Sequence, residues 1–238
     1  MSVDEQLVKL PELDRCVLEH VVYALRNAHI APYPMPHFYA RNVWPAFYYE
    51  QLVEAAHAAT YAPNADGHYA HREFANPLGV PGLRGLTTHH FMRHMMSTFK
   101  AGVRARYAEK AVNVVTDLRL VRDEPGYSIG PHTDAAWKLI SLLFYLPSVG
   151  VPADVGLGTS VYVPRDPTVG CPGGPHYSFE PFIRVATASY EPNSCLGFWK
   201  THTAFHGVEP AAAQRHILLW NAYDADVPRT KSAGTSPE

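Results

Sequence analysis

His132 and Asp134 stand two residues apart in "GPHTDAAWKLISLLFYLP", just ahead of an apolar run that ends near Tyr145. In an extended segment, side chains at i and i+2 share a face, so this imidazole and this carboxylate can meet at one point. Two ligands are too few to hold an octahedral ion, and alone the pair reads equally well as a surface His–Asp hydrogen bond. A third ligand has to come from elsewhere in the chain. His206 in "THTAFHGVEPAAAQR" is the natural candidate, and His202, four residues earlier, is the alternative. Two histidines and one carboxylate on one face of an octahedral ion leave three open positions, which suits non-haem Fe(II) oxygen activation. Arg215 follows nine residues after His206, across a turn centred on Pro210. A hairpin at that turn places Arg215 on the strand beside His206. A buried guanidinium there calls for an anion and suits a carboxylate through two parallel hydrogen bonds. A dicarboxylate that chelates a metal at one end and meets Arg215 at the other satisfies both features.

These residues have to be positioned by the surrounding elements. Residues 11–30, "PELDRCVLEHVVYALRNAHI", carry apolar side chains at helical spacing. "PAFYYEQLVEAAHAAT" is alanine-rich and begins with Pro45, which suits a first helical turn. "TTHHFMRHMMSTFKAGVRARYAEK" reads as a third helix capped by Thr87 or Thr88. "PHFYARNVW" reads as a short strand, and residues 61–86 read as loop. After Ala111 the pattern changes to about eight short β-rich runs bounded by Gly, Pro, Asp and Asn. The expectation is one domain of α+β class with a mainly β core. Residues 1–110 form a helical support region, 111–223 the core, and 224–238 a flexible tail.

The segments "GPHTD", "LLFYLP" and "FHGVEPAAAQR" together resemble the Fe(II)/2-oxoglutarate-dependent oxygenase superfamily, most closely its prolyl-hydroxylase-type branch. The resemblance covers roughly residues 114–223. It implies a double-stranded β-helix, a jelly-roll of cupin-like form, with N-terminal supporting helices. It implies His132, Asp134 and His206 as iron ligands and Arg215 as the residue holding the distal carboxylate of 2-oxoglutarate. Tyr145 matches a tyrosine that donates to the same carboxylate, and Tyr127 matches a second tyrosine contact. The family often has a small hydroxyl residue two positions after the arginine. Here that position is Ile217, so the co-substrate pocket should differ locally. The implied cofactor is Fe(II), with 2-oxoglutarate and dioxygen as co-substrates. The implied reaction is hydroxylation of an unactivated C–H bond, with release of succinate and carbon dioxide.

The 20 basic and 22 acidic side chains of this 238-residue chain leave a formal charge of −2, so no general nucleic-acid binder is expected. Cys16, Cys171 and Cys195 are odd in number and far apart, which fits a reducing compartment. No segment reads as a signal peptide or a membrane span, so the expectation is a cytoplasmic protein, monomer or homodimer. Little of the chain lies beyond the core and its helices, so the expected substrate is a small polar metabolite or biosynthetic intermediate such as a sugar, amino acid or natural product. Trp137, Lys138, Thr159 and Tyr162 are candidate substrate contacts, the last two at the mouth of the barrel. His90 and His94 share a helix face but make a poor zinc motif, because "HHFMRH" lacks the adjacent glutamate. The same ligands permit oxidative cyclisation, desaturation or peptidyl hydroxylation. A radical halogenase is disfavoured, because Asp134 fills the position that class leaves vacant. From a different class, a non-catalytic cupin-like binding protein predicts no affinity for 2-oxoglutarate and leaves Arg215 without a purpose.

Overall fold

The computed structural model describes residues 9–63, 70–102, 113–174 and 176–228. Two antiparallel sheets face each other. The major sheet has the order β1-β9-β6-β11-β4-β3-β2, and the minor sheet has the order β5-β10-β7-β8. The strands are β1 (His37–Arg41), β2 (Ala62–Pro63), β3 (Arg72–Ala75), β4 (Val114–Asp123), β5 (Ile129–His132), β6 (Lys138–Tyr145), β7 (Asp154–Pro164), β8 (Phe182–Tyr190), β9 (Ser194–Trp199), β10 (His206–Val208) and β11 (Arg215–Asp224). The helices are α1 (Glu12–Arg26), α2 (Ala46–Ala58) and α3 (His89–Gly102). None of the described helices is long and apolar enough to cross a membrane. The architecture is the mainly β jelly-roll with supporting helices expected from the sequence.

Strand alternation divides the molecule into two cores. On β6, Ile140, Leu142 and Phe144 pack toward the helices, and on β11 Leu218, Trp220 and Ala222 do the same. The intervening Tyr145 and Ile217 face the second sheet, where they join Val161, Tyr190 and Phe198. A period of two puts alternate residues on opposite faces, so one sequence serves both layers. α1 meets this arrangement with Val17, Leu18, Val21 and Leu25 at helical spacing. α3 contributes Phe91 and Met95, and Thr88 accepts a hydrogen bond from the Phe91 N–H as its cap. Trp220 sets its indole N–H on Leu86 O at 2.9 Å, which ties the major sheet to the segment before α3.

The segment expected to be loop contains β2 and β3 at the edge of the major sheet, together with two short 3₁₀ turns. β3 pairs with β4 and sets Arg72 opposite Asp123. β1 likewise joins the major sheet from the N-terminal half, pairing with β9. The proposed tail 224–238 lies largely outside the described residues, and β11 itself runs to Asp224. The expected hairpin between His206 and Arg215 does not form. β10 and β11 lie in opposite sheets, so the Pro210 segment crosses between layers rather than turning within one. Both residues still reach the same interior space.

Candidate active site

β5 and β10 are antiparallel neighbours, and His132 and His206 are direct cross-strand partners. Register alone therefore brings two histidines 74 positions apart in the chain side by side. Asp134 lies two residues beyond the end of β5, in the turn that leads to β6. Gly173, at φ +126°, lies against this turn, and a Cβ there would come within 2.6 Å of Asp134 O. Only glycine fits that backbone conformation and that approach. One potential ligand atom each from His132, Asp134 and His206 lies within 4.8 Å of the others. His202 is exposed and takes no part in this cluster.

Both histidines use the same local device. His132 Nδ1 lies 2.9 Å from Gly130 O, and His206 Nδ1 lies 3.0 Å from Ala204 O, each two residues back. A carbonyl accepts only from an N–H, so the proton sits on Nδ1 and the lone pair on Nε2. Burial lowers the pKa of both rings, and for His132 the neighbouring His206 and His176 add to the effect. Burial alone would raise the Asp134 carboxyl. Lys138, followed by His206 and His132, overcomes this and holds it below the usual carboxylate range. Asp134 Oδ1 accepts from Lys138 Nζ at 2.8 Å, and Oδ2 accepts from the Ser141 hydroxyl at 2.7 Å. Ser141 Oγ is in turn 3.0 Å from the Asn221 side-chain amide. The donor set is thus two neutral imidazoles and one carboxylate, which fits a divalent first-row metal.

The other end of the cavity is built around Arg215, which is fully buried. Its Nε donates to Asp123 Oδ2 at 2.7 Å and its Nη1 to Leu157 O at 2.7 Å. Among the described residues, Nη2 has no hydrogen-bond partner, and the same holds for the buried hydroxyls of Tyr145 and Thr159. Burial raises the Tyr145 phenol, with the Arg215 charge opposing it, so the hydroxyl remains a donor. Buried donors without acceptors are costly, about 1–3 kcal/mol each, and three in one place fit a carboxylate ligand. Tyr127 is buried with its ring 4.2 Å from the Arg72 guanidinium and 5.8 Å from that of Arg215. Ile217 is part of the apolar layer between the sheets. The hydroxyl at this end is carried instead by Thr159 on β7.

One cavity joins the two ends, and His132, Asp134, His206, Arg215, Tyr127, Lys138 and Thr159 all line it. Thr159 is buried near Arg215 rather than standing at the mouth. Trp137 and Tyr162 are not brought to the cavity. Trp137 lies in the turn before β6, where its carbonyl accepts from Asp224 N–H. On β7, Thr159 and Val161 share one face, so Tyr162 points the other way and packs with Cys171, Phe182 and Phe205. His90 and His94 set their rings edge to face on α3 and do not line this cavity. Sequence reasoning missed Asp123 behind Arg215 and the lining residues Arg72, Ser141 and Asn221, along with Phe74, Asp117, Arg119 and Tyr223. On β4, Asp117, Arg119 and Asp123 occupy alternate positions with Leu118 and Leu120 on the opposite face, so strand parity carried a signal for them.

No family model matches the sequence, and no curated protein matches it. Solved structures do match the fold. A prolyl-4-hydroxylase from Pseudomonas putida aligns over 90% of this chain and 99% of its own, with a TM-score of 0.56 and 13% identity. A prolyl hydroxylase from Trichoplax adhaerens, solved with a hypoxia-inducible-factor peptide fragment, aligns over 92% and 93% with a TM-score of 0.52 and 14% identity. The non-haem α-ketoglutarate-dependent epimerase SnoN of nogalamycin biosynthesis aligns over 93% and 96% with a TM-score of 0.51 and 16% identity. The chain therefore has the double-stranded β-helix fold of the Fe(II)/2-oxoglutarate oxygenases, in the form that prolyl hydroxylases share.

Proposed function

We propose that this chain is a single-domain Fe(II)/2-oxoglutarate-dependent oxygenase that hydroxylates an unactivated C–H bond of a small polar metabolite in the cytoplasm. One observation carries the reading. A compact His132–Asp134–His206 cluster and three donors without partners among the described residues, Arg215 Nη2, Tyr145 OH and Thr159 Oγ1, line or border a single open-mouthed cavity. A dicarboxylate that chelates a metal at the first end would answer the donors at the second.

In this reading His132, Asp134 and His206 hold Fe(II), and Arg215, Tyr145 and Thr159 hold the distal carboxylate of 2-oxoglutarate. The bound iron and co-substrate supply the oxidising power, with dioxygen consumed and succinate and carbon dioxide released. The protein orients and excludes water. The two Nδ1–H contacts fix the tautomer and rotation of both imidazoles, and burial keeps the rings neutral. Ser141 and Lys138 fix the Asp134 carboxylate. The apolar side chains between the sheets keep bulk water from the reacting centre. The substrate enters past Phe74, Asp117, Arg119 and Tyr223, which offer one ring face, one ion pair and one phenol to a small polar molecule. The fold also hosts epimerisation and peptide hydroxylation in other proteins, and the substrate decides between such outcomes.

The test is succinate formation by the Fe(II)-loaded protein under air, with and without pools of amino acids, sugars and short Pro-containing peptides. Succinate release stimulated by a small-molecule pool supports the reading. Stimulation by peptides alone moves the substrate to protein. No succinate under any condition, together with no 2-oxoglutarate binding, leaves the cupin-like binding protein.

A further inference from the structure

β4 presents Asp117 and Arg119 to the cavity, two residues apart on one face. Sheet register fixes where they stand. Asp117 is the cross-strand partner of Asn221 on β11, and Asn221 is that of Ser141 on β6. Ser141 donates to Asp134, so this row ends on the carboxylate of the metal-ligating cluster. With neighbouring strands about 4.8 Å apart, Asp117 stands about 10 Å from Ser141, level with the histidine end of the cavity. Arg215 lies at the opposite end of β11.

Arg119 Nε donates to Asp117 Oδ2 at 2.7 Å, and the Tyr223 hydroxyl lies 3.5 Å from the same oxygen. The Arg119 guanidinium also lies 5.8 Å from the Phe74 ring. Both Nη atoms of Arg119 and Oδ1 of Asp117 have no hydrogen-bond partner among the described residues. The side chains of Arg119 and Asp117 are 50% and 28% exposed, whereas Arg215 and Asp123 are fully buried. An exposed ion pair contributes little to stability, so its two groups can turn to a ligand at small cost. The buried Arg215–Asp123 pair has no such freedom.

An anion set beside a cation on a cavity wall matches a ligand that carries both charges side by side. A free α-amino acid does so, with its ammonium and carboxylate on one carbon and its side chain as a third branch. A sugar carries neither charge, and an internal peptide residue has lost both to amide bonds. We infer that the substrate is a free α-amino acid, selected as a zwitterion by Asp117 and Arg119. Asp117 accepts from the ammonium, and the Nη atoms of Arg119 donate to the carboxylate in parallel. The side chain then extends across β11 toward the His132–Asp134–His206 cluster, which is where hydroxylation takes place. This rests on the oxygenase reading of the same cavity and narrows its substrate.

The test measures succinate formation by the Fe(II)-loaded full chain with each standard L-amino acid in turn. Each is compared with its 2-hydroxy acid, which lacks the ammonium, and its carboxamide, which lacks the carboxylate. At least one free amino acid should stimulate succinate release. Removing either charge should lower kcat/KM about tenfold or more, the scale of one lost hydrogen bond to a charged group. Asp117→Asn should lose the preference for the amino acid over its 2-hydroxy acid, and Arg119→Gln the preference over its carboxamide. A merely structural role would lower all three substrates together and keep both preferences. If a variant does not fold, wild type with the altered substrates carries the test. Three results in protein that binds 2-oxoglutarate by calorimetry would overturn the inference and leave the proposed function standing. They are no stimulation by any amino acid, equal turnover of the altered forms, and stimulation by sugars or peptides instead. No 2-oxoglutarate binding by wild type would overturn the proposed function, and this inference with it.

Discussion

At the histidine end of the cavity, both Nδ1 atoms and both Asp134 oxygens already have protein partners. At the arginine end, Nη2 of Arg215 and the hydroxyls of Tyr145 and Thr159 have none among the described residues. The first end is preorganised before any ligand arrives, and its supporting bonds determine geometry. The second end holds buried donors in an unfavourable state that a ligand relieves. Changes at the two ends should therefore separate. A lost support at the histidine end weakens metal binding. A lost hydroxyl at the arginine end weakens co-substrate binding without weakening the empty fold.

The largest effect is expected at Arg215. Arg215→Leu removes the guanidinium that would pair with the buried co-substrate carboxylate, a loss of roughly 3–5 kcal/mol of binding, or about two to four orders of magnitude in 2-oxoglutarate affinity, and it also lowers the melting temperature because the Arg215–Asp123 pair is lost. Calorimetry on metal-loaded protein measures this, and a change below threefold would remove Arg215 from its role. Ser141→Ala frees Asp134 Oδ2 and should cost about 10–100-fold in metal affinity, as outer-shell losses do, with 2-oxoglutarate affinity falling only through the metal. A competition titration with a metal-binding dye reads this directly.

Tyr145→Phe sharpens the contrast. It removes one donor to a carboxylate, worth about 1.5–3 kcal/mol and so about tenfold or more in 2-oxoglutarate affinity. It also removes a buried hydroxyl that lacks a partner, so the ligand-free protein should melt no lower than wild type. A lower melting temperature with unchanged affinity would reverse the assignment.

The smallest effect lies outside the cavity. Burial, together with His57 stacked at 4.1 Å, lowers His216 from 6.5 to about 4. The unfolded chain takes up this proton first, so stability is fully present above about pH 6.5 and falls as pH drops toward 4. His216→Gln should flatten that part of the urea-midpoint profile. An unchanged profile would place the acid sensitivity elsewhere.

Much of this site could be read before the fold was known, because the His132–Asp134 spacing, His206 and Arg215 carry distinctive side chains. The helices and the eight strands from β4 onward followed apolar periodicity and turn residues. Two parts were less legible. β3 is four residues long and sits between turn-rich stretches, so Arg72 looked like a loop residue. Its partner Asp123 ends an alternating strand whose inner face only the sheet order reveals. Ser141 and Asn221 interrupt otherwise apolar runs, a signal for polar work inside the barrel. Trp137 and Tyr162 failed for a geometric reason, since closeness in sequence to a site does not set the face on which a side chain emerges. The crossover after His206 was also hidden, because nine residues can either turn within a sheet or pass between two.

The most direct test of the central claim is an anaerobic titration of the metal-free protein with Fe(II) and 2-oxoglutarate, followed by the weak visible charge-transfer absorption of the chelate. Wild type and His202→Ala should develop the band, and His206→Ala should not. No band in folded, iron-loaded wild type, or a band retained by His206→Ala, would contradict the account of this cavity.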